Sequence, residues 1–438
     1  MQRKKQSFAI NNFQETKKQL LYWANQYGSC SFLDNHQYKS PYHQAECLVG
    51  VGAIKTFHPT QHHQSALHTF LDETNDWLFG HISYDYKNVL IPLLVSNRED
   101  NIGFASIYFF QPEIVLILSE DKLEIQSLIS APETIYQCIL DVSDKEENIN
   151  KPSLNIKPKI EKDEYLASIE KLKHHILRGD CYEINFCQEF FATDAVINPL
   201  AIYHQLTAVS PNPFSCYYKV DDKHLLCASP ERYLKKAGNK LISQPIKGTA
   251  KRNTDDLVQD EVLKEELKNS SKDRAENVMV VDLVRNDFSK ICKEASVGVA
   301  ELFGIYTFPQ IHQMISTIEG ELKDETDFAA ILEATFPMGS MTGAPKRSVM
   351  QLIDLYEKSN RGLYSGAVGY ISPDKDFDFN VVIRSILYSA TNKYLSYQVG
   401  SGITHYSDPT AEYEECLLKA ASIRQVLNPN SPLAIAED

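Results

Sequence analysis

Antiparallel sheets with interposed helices, an α+β arrangement, are predicted by three features of this 438-residue sequence. Short apolar runs alternate with turns in its first third, one central segment carries a helical period, and strand-like text beyond it comes in blocks separated by a long helical stretch.

From about Phe8 to Leu140 the pattern GFASIYFF followed by QPEIVLILSEDKLEIQSL reads as antiparallel strands joined by hairpins. The text between Asp141 and Lys162 is polar, charged and proline-bearing, which places the main boundary there and divides the chain into a β-rich region, 1–145, and a second region, 160–430. In DEYLASIEKLKHHILRG the apolar residues Tyr165, Leu166, Ile169, Leu172, Ile176 and Leu177 share a helix face, with Asp163 as the cap and Gly179 as the stop. Strands are expected in CYEINFCQEFFA, PFSCYYKV, KHLLCASPERYLKK and KLISQPIKGTA, one helical stretch from Asp256 to Cys292, and further strands from Gly366 to Gly402. A GxGxxG after a strand is absent, which argues against a nucleotide-binding Rossmann unit.

The formal net charge of −14 opposes general affinity for nucleic acid or anionic lipid, so an anionic substrate needs a local cluster of basic residues. Nine cysteines without a CxxC pair read as reduced thiols in the cytoplasm. No apolar run reaches the ~18 residues of a membrane span.

Two pairs of acids stand three apart, Asp273 with Glu276 and Glu412 with Glu415, each on one helix face. Met279, Val280, Val281 and Leu283 beside the first pair, and Leu417, Leu418 and Ala421 beside the second, suggest buried helices. Buried oxygen donors without histidine or cysteine favour magnesium. Lys247 in SQPIKGTAKR and Glu231 in CASPERYL stand at strand ends; an amine and an acid there form a nucleophile and proton donor, or a salt bridge, and spacing leaves both open. In FPMGSMTGAPKRSVM, small residues before Pro345 could offer free N–H groups to an anion, or form a tight turn before a capped helix. Arg384 interrupts the apolar run FNVVIRSILYS, and Gly400 and Gly402 allow close backbone approach. His312, standing alone, reads first as structural.

Together GDCYEINFCQEF, SPERYL, QPIKGT, KDRAENVMVVDLVRND, IHQMISTI, FPMGSMTGAPK, YSGAVGY, VVIRSI, GSGI and AEYEECLLKA resemble, in order from about Tyr165 to Val426, the chorismate-utilising enzymes, which include the anthranilate, aminodeoxychorismate, isochorismate and salicylate synthases. The resemblance implies a sandwich of antiparallel sheets wrapped by helices around one active site. It makes Glu276 and Glu415 direct magnesium ligands, with Asp273 and Glu412 holding the metal's waters. It makes Lys247 the nucleophile and Glu231 the proton donor. Tyr364, Arg384, Lys419 and the amides around Gly400 and Gly402, together with Thr342, His312, Gly248 and Thr249, fall at substrate-binding positions. Hydroxylating members carry a lysine base where this chain has Glu183, and aminating members usually carry glutamine there. PIKGT, rather than PIAGT, resembles the members that aminate chorismate at C4; amination at C2 with loss of pyruvate is the alternative, and a non-catalytic chorismate-binding protein the remote one. A Lys247 pKa depressed by burial and the metal is expected, since a free lysine at about 10.4 is almost wholly charged at neutral pH. With no glutaminase-like region in the chain, a separate glutamine amidotransferase subunit is the expected ammonia source. FLDNHQYKSPYHQ resembles, in part, the family's segment for an aromatic amino acid.

Overall fold

A computed structural model describes residues 2–43, 45–59, 63–92, 98–142, 154–308 and 311–428. Two antiparallel sheets, one of twelve strands and one of ten, form the frame. The central strands of the larger sheet are buried on both faces, and successive side chains enter opposite clusters as the period of two requires. Val49, Leu116 and Leu226 enter a cluster beneath the helices Lys162–Leu177, Pro199–Val209 and Pro409–Lys419. Their neighbours Leu48, Val115 and Leu225 enter a second cluster with Phe79, Phe109 and Phe379 of the smaller sheet. The sheets meet closely enough that a Cβ on Gly50 would come 2.5 Å from the Phe79 ring. The α+β sandwich expected from the sequence is therefore present.

The boundary expected between Asp141 and Lys162 falls largely on 143–153, outside the described residues. It divides the sequence rather than the sheets: Ser29–Asp34 pairs with Phe214–Val220, and Leu78–Ile82 pairs with Ala367–Ile371.

Several local expectations are corrected. Lys122–Ser127 does form a hairpin with Ile114–Leu118, but Ile107–Gln111 lies in the other sheet, because Pro112 and Glu113 carry the chain across. The first region also holds the helices Phe13–Ala24, His63–Glu73 and Pro132–Leu140; Asn12 caps the first by accepting from the Glu15 amide at 3.1 Å. The helix Lys162–Leu177 has Glu161 at its cap position, with Asp163 inside the first turn, and Gly179 follows it at φ +84°. The stretch from Asp256 is two helices, Leu257–Asn269 and Ser271–Ile291, since the Ser270 hydroxyl leaves the helix to cap the second. Arg384 stands at φ +53° between the strands Phe377–Asn380 and Ser385–Ser389, not within one. Leu418 is 64% exposed, so only part of its helix is buried. No helix among the described residues is long and apolar enough to cross a membrane. All nine cysteines are free thiols.

Candidate active site

The acids and the amine singled out above meet where the two sheets and two helices converge. Glu183 opens the strand Glu183–Ala192 of the larger sheet, while Lys247 lies on Ile246–Lys251 of the smaller one. The Lys247 ammonium donates to Glu183 Oε1, a contact that joins the sheets. Gly402, on Tyr394–Ile403, makes room beneath them. A Cβ there would come 2.8 Å from Lys247 Nζ and 2.9 Å from Glu183 Oε1. Gly248 stands at φ +95°, a conformation glycine adopts freely, and passes close to Asp273.

Burial draws the Lys247 amine down, yet Glu183, Glu276 and Glu231 together hold it above its ordinary value. Burial alone therefore does not bring the expected depression, which counts also on a metal's charge: without that charge the amine is an ammonium among carboxylates. Glu231 is 4% exposed, and burial pushes its carboxyl up to about 7 against the pull of Ser340, Lys247 and Lys419. At neutral pH it can therefore carry a proton. Ser340, which the sequence reading passed over, is the first of the groups restraining it.

The two pairs of acids face each other across Lys272. Its Nζ lies 3.9 Å from Glu276 Oε1 and 3.7 Å from Glu412 Oε1, and Glu415 and Asp273 also hold its charge in place. Glu412 is buried against the Ser407 hydroxyl at 2.8 Å, and Glu415 pairs with Lys419 at 2.6 Å. Glu276 Oε1 is buried without a hydrogen-bond partner. Among the described residues no three acid, histidine or cysteine side chains already close into a metal cage. Lys272 itself was missed, although its place four residues before Glu276 is a recognisable ion-pair spacing.

Lys419 reaches the Gly400 carbonyl at 3.0 Å, and Arg384 donates to the Lys419 carbonyl at 3.2 Å. Buried Tyr364 stands close enough to Arg384 to bear on its charge. This gives one flank of the site three of the expected carboxylate-binding groups. Thr342 is fully buried beside it, its hydroxyl donating to the Met338 carbonyl at 3.1 Å and its own carbonyl accepting from Asn185 at 2.7 Å. Thr249 is exposed on the Lys247 strand. His312 is placed elsewhere in hydrogen-bonding terms: its ring meets Asp260 at 3.1 Å and Thr307 at 3.0 Å, and Asp260 in turn accepts from Arg252. Separately, Asp34, Asn35, His43 and Glu46 line a cavity with Phe214 and Tyr370, to which no residue of the Lys247 site contributes.

Residues 11–425 match a family model described as chorismate binding enzyme. The chain is 31% identical over 355 residues to the anthranilate synthase component I-like protein of Synechocystis, a match covering 80% of this chain and 72% of that protein. It is 38% identical over 269 residues to a probable chloroplastic aminodeoxychorismate synthase of Oryza sativa, covering 61% of this chain but 30% of that protein. With aminodeoxychorismate synthase component 1 of Bacillus subtilis the figures are 36% over 265 residues, 60% and 56%. The matches thus span about a third to about half of these last two relatives. Among solved structures, anthranilate synthase component I from Streptococcus pneumoniae superposes with a TM-score of 0.75 at 23% identity, over 89% of this chain and 94% of that one. The menaquinone-specific isochorismate synthase from Escherichia coli gives 0.76 at 19%, over 97% and 95%. These two likenesses speak for the fold.

Proposed function

Since the chain belongs to the chorismate-binding enzyme family, we propose that it aminates chorismate at C4 to give 4-amino-4-deoxychorismate, with ammonia supplied by a glutamine amidotransferase subunit. The carrying observation is Lys247, whose amine stands over Gly402 with Glu183 against it and Glu231 and Glu276 within its field. A lysine that takes C2 leaves C4 as the place for the incoming nitrogen. Lys247, once deprotonated, forms a bond to C2 while Glu231 gives its proton to the departing C4 hydroxyl, which leaves as water. Ammonia then bonds to C4 and the C2–Lys247 bond breaks. Arg384, Lys419 and the backbone at Gly400 and Gly402 receive the substrate's carboxylates, supplying the local positive charge that the acidic chain as a whole lacks.

Glu276 and Glu415 are the residues that would hold a magnesium ion directly, and Asp273 and Glu412 those that would hold its waters. The oxygen-only donor set and the Glu276 Oε1 that has no hydrogen-bond partner fit such an ion, whose charge would take the place of the Lys272 ammonium now 3.9 Å from that oxygen. When bound, the metal supplies positive charge for the ring carboxylate.

The test is product identity. Chorismate, magnesium and ammonium with the purified chain should yield 4-aminobenzoate only after addition of an aminodeoxychorismate lyase, and a chelator should abolish turnover until magnesium is restored. Anthranilate formed without the lyase overturns C4 amination and favours the anthranilate synthase reading, which the Synechocystis relative's name supports.

Glu231→Gln is expected to lower kcat by roughly 10²–10⁴-fold, the usual worth of a general acid. The sign of its pH dependence follows from the raised carboxyl: the acid is protonated below about 7, so activity through it is present there and falls above. A pH–rate profile of kcat/KM checks this, and an unchanged descending limb in the variant would assign that limb to another group.

A further inference from the structure

Lys247 occupies only one oxygen of Glu183. The other, Oε2, is buried and has no hydrogen-bond partner, in a residue that is 2% exposed. A buried carboxylate oxygen without a donor is costly unless a ligand completes it. The backbone that carries it is paired on two sides: Glu183 pairs with Ala344, and the next residues, Ile184 and Asn185, pair with Ile403 and Gly402. The second oxygen belongs to the carboxylate that Lys247 contacts, so a group bound there lies beside the amine that the proposed mechanism brings to the ring. The remaining charged groups bearing on this pair, Glu276, Glu231 and Glu415, are all acidic. Such surroundings suit a small cation with N–H donors.

We propose that Glu183 Oε2 is the receiving site for ammonium and carries a proton between the nitrogen entering at C4 and the nitrogen leaving C2. The inference rests on the amination reading above. Ammonium cannot attack until it loses a proton. Bound at Oε2, it gives one to the carboxylate; its freed electron pair forms the C4–N bond, and the pair of the C2–N bond returns to Lys247. Glu183 then passes the proton to that nitrogen. The carboxylate ends as it began, and the positive charge of ammonium ends on the C4 amine. A glutamine at this position can accept a hydrogen bond but cannot take the proton.

The experiment compares ammonium chloride with hydroxylamine, which is uncharged at mildly alkaline pH and needs no deprotonation before attack. Wild type, Glu183→Gln and Glu183→Asp are assayed for kcat/KM with each nitrogen source. In Glu183→Gln the ammonium-to-hydroxylamine ratio should fall roughly ten- to hundredfold, the worth of a lost charged hydrogen bond. Glu183→Asp, which keeps a carboxylate, should recover part of that ratio. If Glu183→Gln lowers both reactions alike, the residue only shapes the site and the proposal is overturned. If ammonium turnover is unaffected, it is overturned as well. Wild type that aminates with neither source would instead sink the amination reading, and this one with it.

Discussion

Lys247→Ala is expected to lose amination by on the order of 10⁴-fold or more, because the variant lacks the group that opens the covalent route. No second amine is in contact with Glu183 among the described residues. Mass spectrometry of the protein after incubation with chorismate in the absence of ammonia should show an adduct on wild type and none on the variant. The substitution also leaves Glu183 without its cation, and breaking a buried pair costs about 3–5 kcal/mol. Combining Lys247→Ala with Glu183→Gln should recover much of that stability and none of the activity, which separates chemistry from folding. Amination at near wild-type rates by either variant would remove Lys247 from the mechanism.

The second large effect is on stability. Arg361 is fully buried and held on every side: Glu357 by two bonds of 2.6 and 3.0 Å, the Met341 and Asn185 carbonyls at 2.6 and 2.8 Å, and the Tyr84 ring 4.5 Å from its guanidinium. Arg361→Met should lower unfolding free energy by about 3–5 kcal/mol, since Glu357 is then a buried charge without its partner. Denaturant titration checks it. Because Asn185 and Met341 flank Glu183 and Thr342, activity should fall in parallel even though Arg361 touches none of the proposed reacting groups. A change below about 1 kcal/mol would mean that the pair is dispensable.

Much of this was legible in the sequence, in particular places. The helix at Lys162–Leu177, the strand Glu183–Ala192 and the placing of each acid pair on one helix face follow from local periodicity and i,i+3 spacing, which sequence carries directly. The likeness to known motifs named Lys247 and Glu231, and the structure brings each into the other's field. What could not be read was contact made across sheets. Lys247 and Glu183 are 64 residues apart, and their meeting depends on how two sheets stack. The same limit explains the expected hairpin after Ile107–Gln111: alternation marks a strand, but only topology decides which sheet receives it. The Lys247 pKa was expected low because a free amine is a better nucleophile; three neighbouring carboxylates, none adjacent to it in sequence, set the opposite direction.

The pairing of Ser29–Asp34 with Phe214–Val220 bears on how this chain comes into being. During synthesis the early strand emerges roughly 180 residues before the neighbour that completes its side of the sheet, a wait of about ten seconds or more at ordinary elongation rates. Until then it is a hydrophobic edge with unpaired amides, the kind of segment that seeks strands on other chains. High contact order of this sort slows folding and exposes the nascent protein to aggregation and to chaperones, while parting the two regions of the finished molecule would break the pairings of Ser29–Asp34 with Phe214–Val220 and of Leu78–Ile82 with Ala367–Ile371.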